Sequence, residues 1–162
     1  ESGLDMAIRI ETPKDSELIY RKLAPNDLVF CASPKYLNNC KSKIKAPEDF
    51  KNHDLLMLSI HHRCRFDDQQ SKLGDFSKSK KLTCEDGVFL TNMALEGMGI
   101  LVRSIWDVQE HLKSGALVQV LKNYPLETFG HLHAVIPSKR YLAPRVRTFL
   151  DFIVEESKSW KL

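Results

Sequence analysis

Residues 84–100 read CEDGVFLTNMALEGMGI, and this stretch carries the signals that decide the fold class. Asp86 is a typical N-cap residue, because an aspartate carboxylate accepts hydrogen bonds from the free N–H groups of a helix's first turn. Apolar side chains then recur at helical spacing, and Gly97 and Gly99 suit a left-handed helix stop. The stretch therefore predicts a strand, a loop, a buried helix, a glycine turn and a second strand. The start of that helix either holds a small anion on its free donors or is capped by Asp86 alone.

Strands and helices alternate along the rest of the chain as well. Apolar runs predict strands at residues 5–10, 18–23, 28–32, 55–60, 117–121 and 131–136. Helices are predicted to begin at Ser33-Pro34, after Val102 and at Pro144, whereas the polar residues 61–81 predict a surface loop. This alternation favours an α/β fold with a largely parallel sheet.

Composition narrows the function classes. The chain has 162 residues, 43% of them hydrophobic, with 24 basic and 21 acidic residues interspersed, so it lacks the lopsided charge of a dedicated nucleic-acid binder. No apolar run approaches the roughly 20 residues that span a membrane, and no secretion signal is present, so we expect a cytoplasmic protein without a membrane partner. Because the chain begins at Glu1 without Met, we expect it to be part of something longer.

The sequence carries no pattern typical of a catalytic or cofactor-binding site. One group of residues has side chains of the types that ligate metals: His53, His61, His62 and Cys64. The spacing of these residues matches none of the paired Cys or His patterns that hold zinc. No nucleophile elbow surrounds the serines, and the Gly-x-Gly at residues 97–99 ends a helix where a dinucleotide fingerprint would begin one. We therefore expect no enzymatic activity, no metal and no cofactor.

The four cysteines are too few and too scattered for a disulfide scaffold, so reduced thiols are expected. Cys31 lies in a predicted strand and should be an inert core thiol. Cys40 stands near Lys41 and Lys43, which favours a more acidic, exposed thiol. A thiol-based redox sensor therefore stays open as one hypothesis.

Five segments, in this order and spacing, resemble the effector-binding domain of LysR-type transcriptional regulators. They are GLDMAIRI, LIYRKLAPNDLVFCASPKYL, APEDFKNHDLL, EGMGILVRSIWDV with GALVQVL, and HAVIPSKRYLAPRVRTFLDFIVEE. The resemblance covers nearly the whole chain, although residues 65–81 carry no family signature. It implies the regulatory domain of a bacterial transcription factor; a solute-binding protein of the same fold that serves transport is the alternative.

The resemblance also implies an architecture. This is a type II periplasmic-binding-protein-like fold, whose two α/β lobes are joined by two crossover strands and hold a small-molecule effector in the cleft between them. Residues 1–24 and 119–162 would form the first lobe and residues 25–118 the second, with crossovers at 20–23 and 118–121. The family's winged helix-turn-helix is absent, and about sixty residues normally precede GLDMAIRI, so the first lobe is expected to be incomplete.

Carried over by position, the effector site falls on strand ends and helix starts. The residues are Ile10 and Glu11, Ser33 and Ser59, and Asp86, Gly87 and Val88. Effectors in this family are often small organic acids, but Glu11 and Asp86 weigh against one here because two carboxylates repel an anion. The expected partners are thus a small-molecule effector, a second copy in a dimer or larger oligomer, and DNA only through the absent helix-turn-helix.

Overall fold

The protein was analysed as a computed structural model, which describes residues 4–11, 17–40, 42–63, 80–126, 130–137 and 142–160. Its helices and strands are, in chain order, β1 (Ala7–Glu11), β2 (Ile19–Pro25), β3 (Leu28–Ala32), α1 (Pro34–Asn39), β4 (Asp54–Leu58), β5 (Lys80–Cys84), α2 (Gly87–Leu95), β6 (Ile100–Ser104), α3 (Ile105–Lys113), β7 (Val118–Val120), β8 (His131–Ile136) and α4 (Pro144–Ser157). Short 3-10 helices span Pro47–Asn52 and Ser59–Arg63. The mixed α/β class expected from the sequence is confirmed.

The chain divides into two compact units. The first comprises Glu1–Asn26 with Thr128–Leu162, and the second comprises Asp27–Glu127. The strand β7, which the resemblance assigns to a crossover, lies in the second unit and pairs there with β3. The lobe limits inferred from the resemblance stay predictions.

The first unit is an antiparallel sheet covered by α4. Both β1 and β2 pair with β8 between them, so that Ala7 and Tyr20 lie on either side of Val135. The helix buries Val146, Leu150 and Ile153, at spacings of four and three residues. Leu150 and Ile153 pack against sheet residues of β2 and β8. Phe149 is half exposed, because it lies at the margin of this buried stripe on the helix circumference.

The second unit contains a mixed sheet in the order β5-β4-β6-β3-β7. The strands β4, β5 and β6 are parallel, whereas β3 is antiparallel to both β6 and β7. The expectation of a largely parallel sheet is therefore wrong for the first unit and met only in part by the second, where β3 runs against the other strands. Short apolar runs look alike in either direction, so hydrophobic pattern cannot reveal strand polarity.

Both faces of this second sheet are buried, which explains its continuous apolar strands. On one face Leu55 and Met57 pack with Phe50, while on the other the intervening Leu56 packs with Leu90 and neighbours on α2 and α3. Because successive side chains of a strand point to opposite faces, one strand supplies both cores.

Two strand boundaries differ from the sequence prediction. The strand β4 ends at Leu58, so Ser59 and Ile60, expected within it, begin a 3-10 turn. The strand predicted ahead of the helix is β5, which spans Lys80–Cys84 and so begins earlier than residues 84–100, within the last residues of the predicted surface loop. Most of the loop expected at residues 61–81 falls outside the described residues.

The two glycines after α2 are needed for different structural reasons. Gly97 has φ +81°, which confirms the left-handed stop. Gly99 does not adopt a left-handed φ; instead a Cβ there would lie 2.6 Å from the carbonyl oxygen of Asp54. Close backbone approach between β4 and the start of β6 therefore requires Gly99.

Candidate functional site

The carboxyl ends of three parallel strands meet along one edge of the second unit's sheet. Ser59 follows β4, Asp86 and Gly87 follow β5, and α3 begins directly after β6. We call this set, residues 59–61, 86–88 and 103–107, the carboxyl edge. Ligands of open α/β sheets bind outside the carboxyl ends of the strands, because loops and helix starts converge there.

Asp86 caps the start of α2. Its Oδ1 accepts hydrogen bonds from the backbone N–H groups of Val88, at 2.9 Å, and Phe89, at 3.0 Å. Of the two alternatives for this helix start, the geometry favours the capped one, because the carboxylate already uses two donors and repels a further anion. The Val88 side chain is 69% exposed and that of Phe89 is half exposed, so apolar surface adjoins the cap.

Gly87 makes room for an arginine. A Cβ at this position would lie 2.3 Å from Cζ of Arg103, so only glycine lets the guanidinium lie against the start of α2. The Arg103 side chain is 12% exposed, and its Nη2 lies 3.0 Å from Oδ2 of Asp107. Its Nε is buried without a hydrogen-bond partner among the described residues. The guanidinium of Arg103, a largely buried cation, thus lies against the first residue of α2.

His61 is buried in the same edge. Burial lowers the pKa of His61, the positive charge of Arg103 lowers it further, and a backbone hydrogen bond at Val102 and the Asp107 carboxylate act in the opposite direction. A neutral imidazole therefore lies near a permanent cation. The edge offers hydrogen bonds and apolar contact, which are the means of binding a small molecule.

Sequence reasoning missed Arg103 and Asp107, and it considered His61 only as a metal ligand. The available signal was an arginine inside the apolar run ILVRS with an acidic residue four positions later. The two residues lie on either side of the junction between β6 and α3, and nothing in the sequence shows that Gly87 lies beside Arg103.

Ser33 lies at the other edge of the sheet. Because β3 is antiparallel to β6, with Leu28 opposite Ser104, β3 begins near the carboxyl edge and ends away from it. Ser33 is 2% exposed, and its Oγ accepts a hydrogen bond from the backbone N–H of Tyr36, at 3.4 Å, as the cap of α1. The structure therefore brings Ser59, Asp86, Gly87 and Val88 to one edge and does not bring Ser33 there.

Ile10 and Glu11 belong to the first unit, at the end of β1. They lie opposite Leu132 and His131 of β8, and the Ile10 side chain is exposed. Their part in ligand binding stays a prediction.

His53 does not lie with His61. Its Nδ1 is 3.0 Å from the Tyr36 hydroxyl and its Nε2 is 3.0 Å from the Ser42 hydroxyl. Burial lowers the pKa of His53, against the opposing charges of Asp49 and Asp54. Within the described ranges, no three His, Cys, Asp or Glu residues are grouped to hold a metal, and Cys64 lies outside those ranges.

Among the described cysteines, Cys31 and Cys40 lie away from the carboxyl edge, and Cys84 lies at the end of β5. Cys31 is fully buried, and this burial raises its pKa to about 12, in agreement with an inert core thiol. Cys40 is half buried rather than exposed, and its Sγ lies 3.2 Å from the carbonyl oxygens of Leu37 and Ser42. A redox role for Cys40 stays a prediction.

Comparison with known proteins identifies a family. Residues 1–158 match the model described as the LysR substrate binding domain. The chain is similar to two regulators of Escherichia coli: it is 29% identical to the HTH-type transcriptional activator TtdR, over 94% of this chain and 49% of TtdR, and 31% identical to the HTH-type transcriptional regulator DmlR, over 93% and 49%. The chain thus spans about half the length of the curated relatives it matches.

A solved structure of a LysR-type regulator supports the same family. The regulatory domain of CrgA, a LysR-type transcriptional regulator from Neisseria meningitidis, superposes with a TM-score of 0.80 at 28% identity, over 94% of this chain and 75% of that one. No helix in the described part of the chain is both long and apolar enough to cross a membrane.

Proposed function

The chain belongs to the LysR substrate-binding domain family, and from this premise we propose that it senses a small-molecule effector for a transcriptional regulator and catalyses no reaction. The observation that carries the proposal is the family match across residues 1–158. The carboxyl edge supports it, since its groups suit binding. A transport role is not favoured, because the relatives are transcriptional regulators.

Operator DNA is read by sequence outside this chain. The relatives are named for their helix-turn-helix, and the chain matches only about half of their length. The interspersed charges of the chain, with a net charge of +3, offer no dedicated basic stripe. Helix-turn-helix proteins read paired half-sites as symmetric dimers, so the working regulator is a cytoplasmic dimer or larger homo-oligomer.

The effector contacts the carboxyl edge of the second unit. Val88 and Phe89 provide apolar surface, and the Ser59 hydroxyl is a donor and acceptor. The Asp86 carboxylate favours a ligand that presents a hydrogen-bond donor. If the effector is a small organic acid, its carboxylate lies away from Asp86, because like charges repel.

Effector binding alters DNA occupancy by shifting a conformational equilibrium. The shift can be no larger than the difference between the effector's affinities for the two conformations. Ligand selectivity for one conformation, rather than affinity alone, therefore determines the regulatory response.

Two measurements test the proposed function. A screen of small metabolites by thermal shift should find a compound that raises Tm, since a ligand that binds only the folded state stabilises it. Gel shifts with the same 162-residue chain should show no sequence-specific DNA binding at moderate salt. Specific binding of an operator by this chain alone would overturn the proposal that operator DNA is read by sequence outside it.

A further inference from the structure

The first unit contains a second candidate site, which shares no residue with the carboxyl edge. A cavity of about 330 Å³ opens between β2, β8 and α4. All of its lining residues belong to the first unit. Its volume is in the range of small-ligand pockets, which start at about 300 Å³.

The floor of the cavity is apolar. Ile136 of β8 and Leu150 of α4 are buried core residues, and their side chains line the cavity. Leu142 and Val154, both half buried, complete the apolar lining. A ligand body of a few carbon atoms would gain hydrophobic burial here.

The rim of the cavity is charged and predominantly positive. Arg21 comes from β2, and Arg147 and Asp151 come from adjacent turns of α4. Within the described parts of the chain, no ion pair or side-chain hydrogen bond includes either arginine or Asp151. Arg145 on the same helix differs, because it lies 3.7 Å from Asp5. Two guanidinium groups at the rim are thus available to a ligand.

We propose that this cavity binds a small organic monoanion with a branched or aromatic apolar body. The apolar part would cover Ile136 and Leu150, and the carboxylate would lie between the guanidinium groups of Arg21 and Arg147. Guanidinium groups bind carboxylates through paired, charge-assisted hydrogen bonds. Asp151 leaves the rim with one net positive charge, which fits a monoanion better than a dianion.

The test titrates 4-methylpentanoate into the 162-residue protein, with amide NMR shifts and calorimetry as readouts. The neutral 4-methylpentanamide has the same body without the charge. We expect shifted amides in β2, β8 and α4, and affinity for the amide about tenfold lower, because a charge-assisted pair is worth roughly that factor.

Matched variants assign the site. Arg147→Gln should weaken 4-methylpentanoate binding about tenfold, whereas Arg145→Gln, on the same helix but outside the cavity, should leave it within about twofold. Asp151→Asn should tighten binding several-fold because it removes a repelling charge. Opposite effects of two substitutions one turn apart cannot arise from general unfolding.

Three results would overturn the proposal. The first is no saturable binding up to about 10 mM ligand, roughly ten times the 1 mM dissociation constant of a weak ligand. The others are equal affinity for the acid and the amide, and shifts confined to residues 59–61 and 86–88. A Val88→Asp variant separates this site from the effector site, since it should leave 4-methylpentanoate affinity unchanged.

Discussion

Two strand-to-helix junctions in the second unit look alike in sequence and differ in the structure. Ser33 follows β3 and caps α1, and Asp86 follows β5 and caps α2. Ser33 is buried, with its hydroxyl used inside the protein, whereas Asp86 is exposed beside exposed apolar side chains. The cause is strand direction: β5 ends at the carboxyl edge, and β3 ends at the opposite one, which we call the amino edge. A cap residue therefore marks a helix start, and strand polarity decides whether that start can meet a ligand.

The largest expected effect compares one glycine at each edge. Gly99→Ala, at the amino edge, places a Cβ against a backbone carbonyl and should lower the free energy of unfolding by about 2 kcal/mol. Gly87→Ala, at the carboxyl edge, meets the flexible end of Arg103 and should cost about half as much. Urea denaturation measures both. An equal or larger loss for Gly87→Ala would show that Arg103 cannot move.

The second prediction concerns the ion pair under the carboxyl edge. Asp107→Asn removes the partner of the largely buried Arg103 and should cost about 1.5 kcal/mol. The control is Glu110→Gln on the same helix, which removes an exposed pair with Lys113 and should cost less than about 0.5 kcal/mol. If the two variants had the same urea midpoint, a structural role for the Arg103–Asp107 ion pair would be contradicted.

The caps themselves give a smaller difference. Asp86→Ala removes two hydrogen bonds and should cost about 1 kcal/mol, whereas Ser33→Ala removes one long bond and should cost about 0.5 kcal/mol. Thermal unfolding ranks the two. If Ser33→Ala also weakens effector binding, the separation of the two edges is wrong.

The smallest effect is on pH dependence. The pKa values of His61 and His53 are lowered in the folded protein, so the unfolded chain takes up protons first as the pH falls below about 6.5, and stability decreases from there. Arg103→Gln should raise the pKa of His61 and leave that of His53 unchanged, since only His61 lies near Arg103. Histidine NMR titrations measure both values. Equal changes in the pKa values of His61 and His53 would show that Arg103 does not lie near His61 alone.

Local features were predictable from the sequence, and tertiary placement was not. The caps at Ser33 and Asp86 and the stop at Gly97 follow from hydrogen bonding and φ at single residues, so local sequence suffices to predict them. The position of Ser33 depends on which strand neighbours β3 and in which direction, and apolar runs do not encode this. Arg103 escaped prediction for the same reason, because its contact with Gly87 joins strand β6 to the start of helix α2.

The central claim is that the effector contacts the carboxyl edge at the start of α2. The most direct test compares Val88→Asp with Met98→Asp in calorimetric titrations of whichever metabolite the thermal-shift screen finds. The side chains are similarly exposed, at 69% and 55%, and lie near opposite ends of the same helix. The account predicts at least about a tenfold loss of affinity for Val88→Asp and less than about a twofold change for Met98→Asp. Unchanged affinity in Val88→Asp would contradict it.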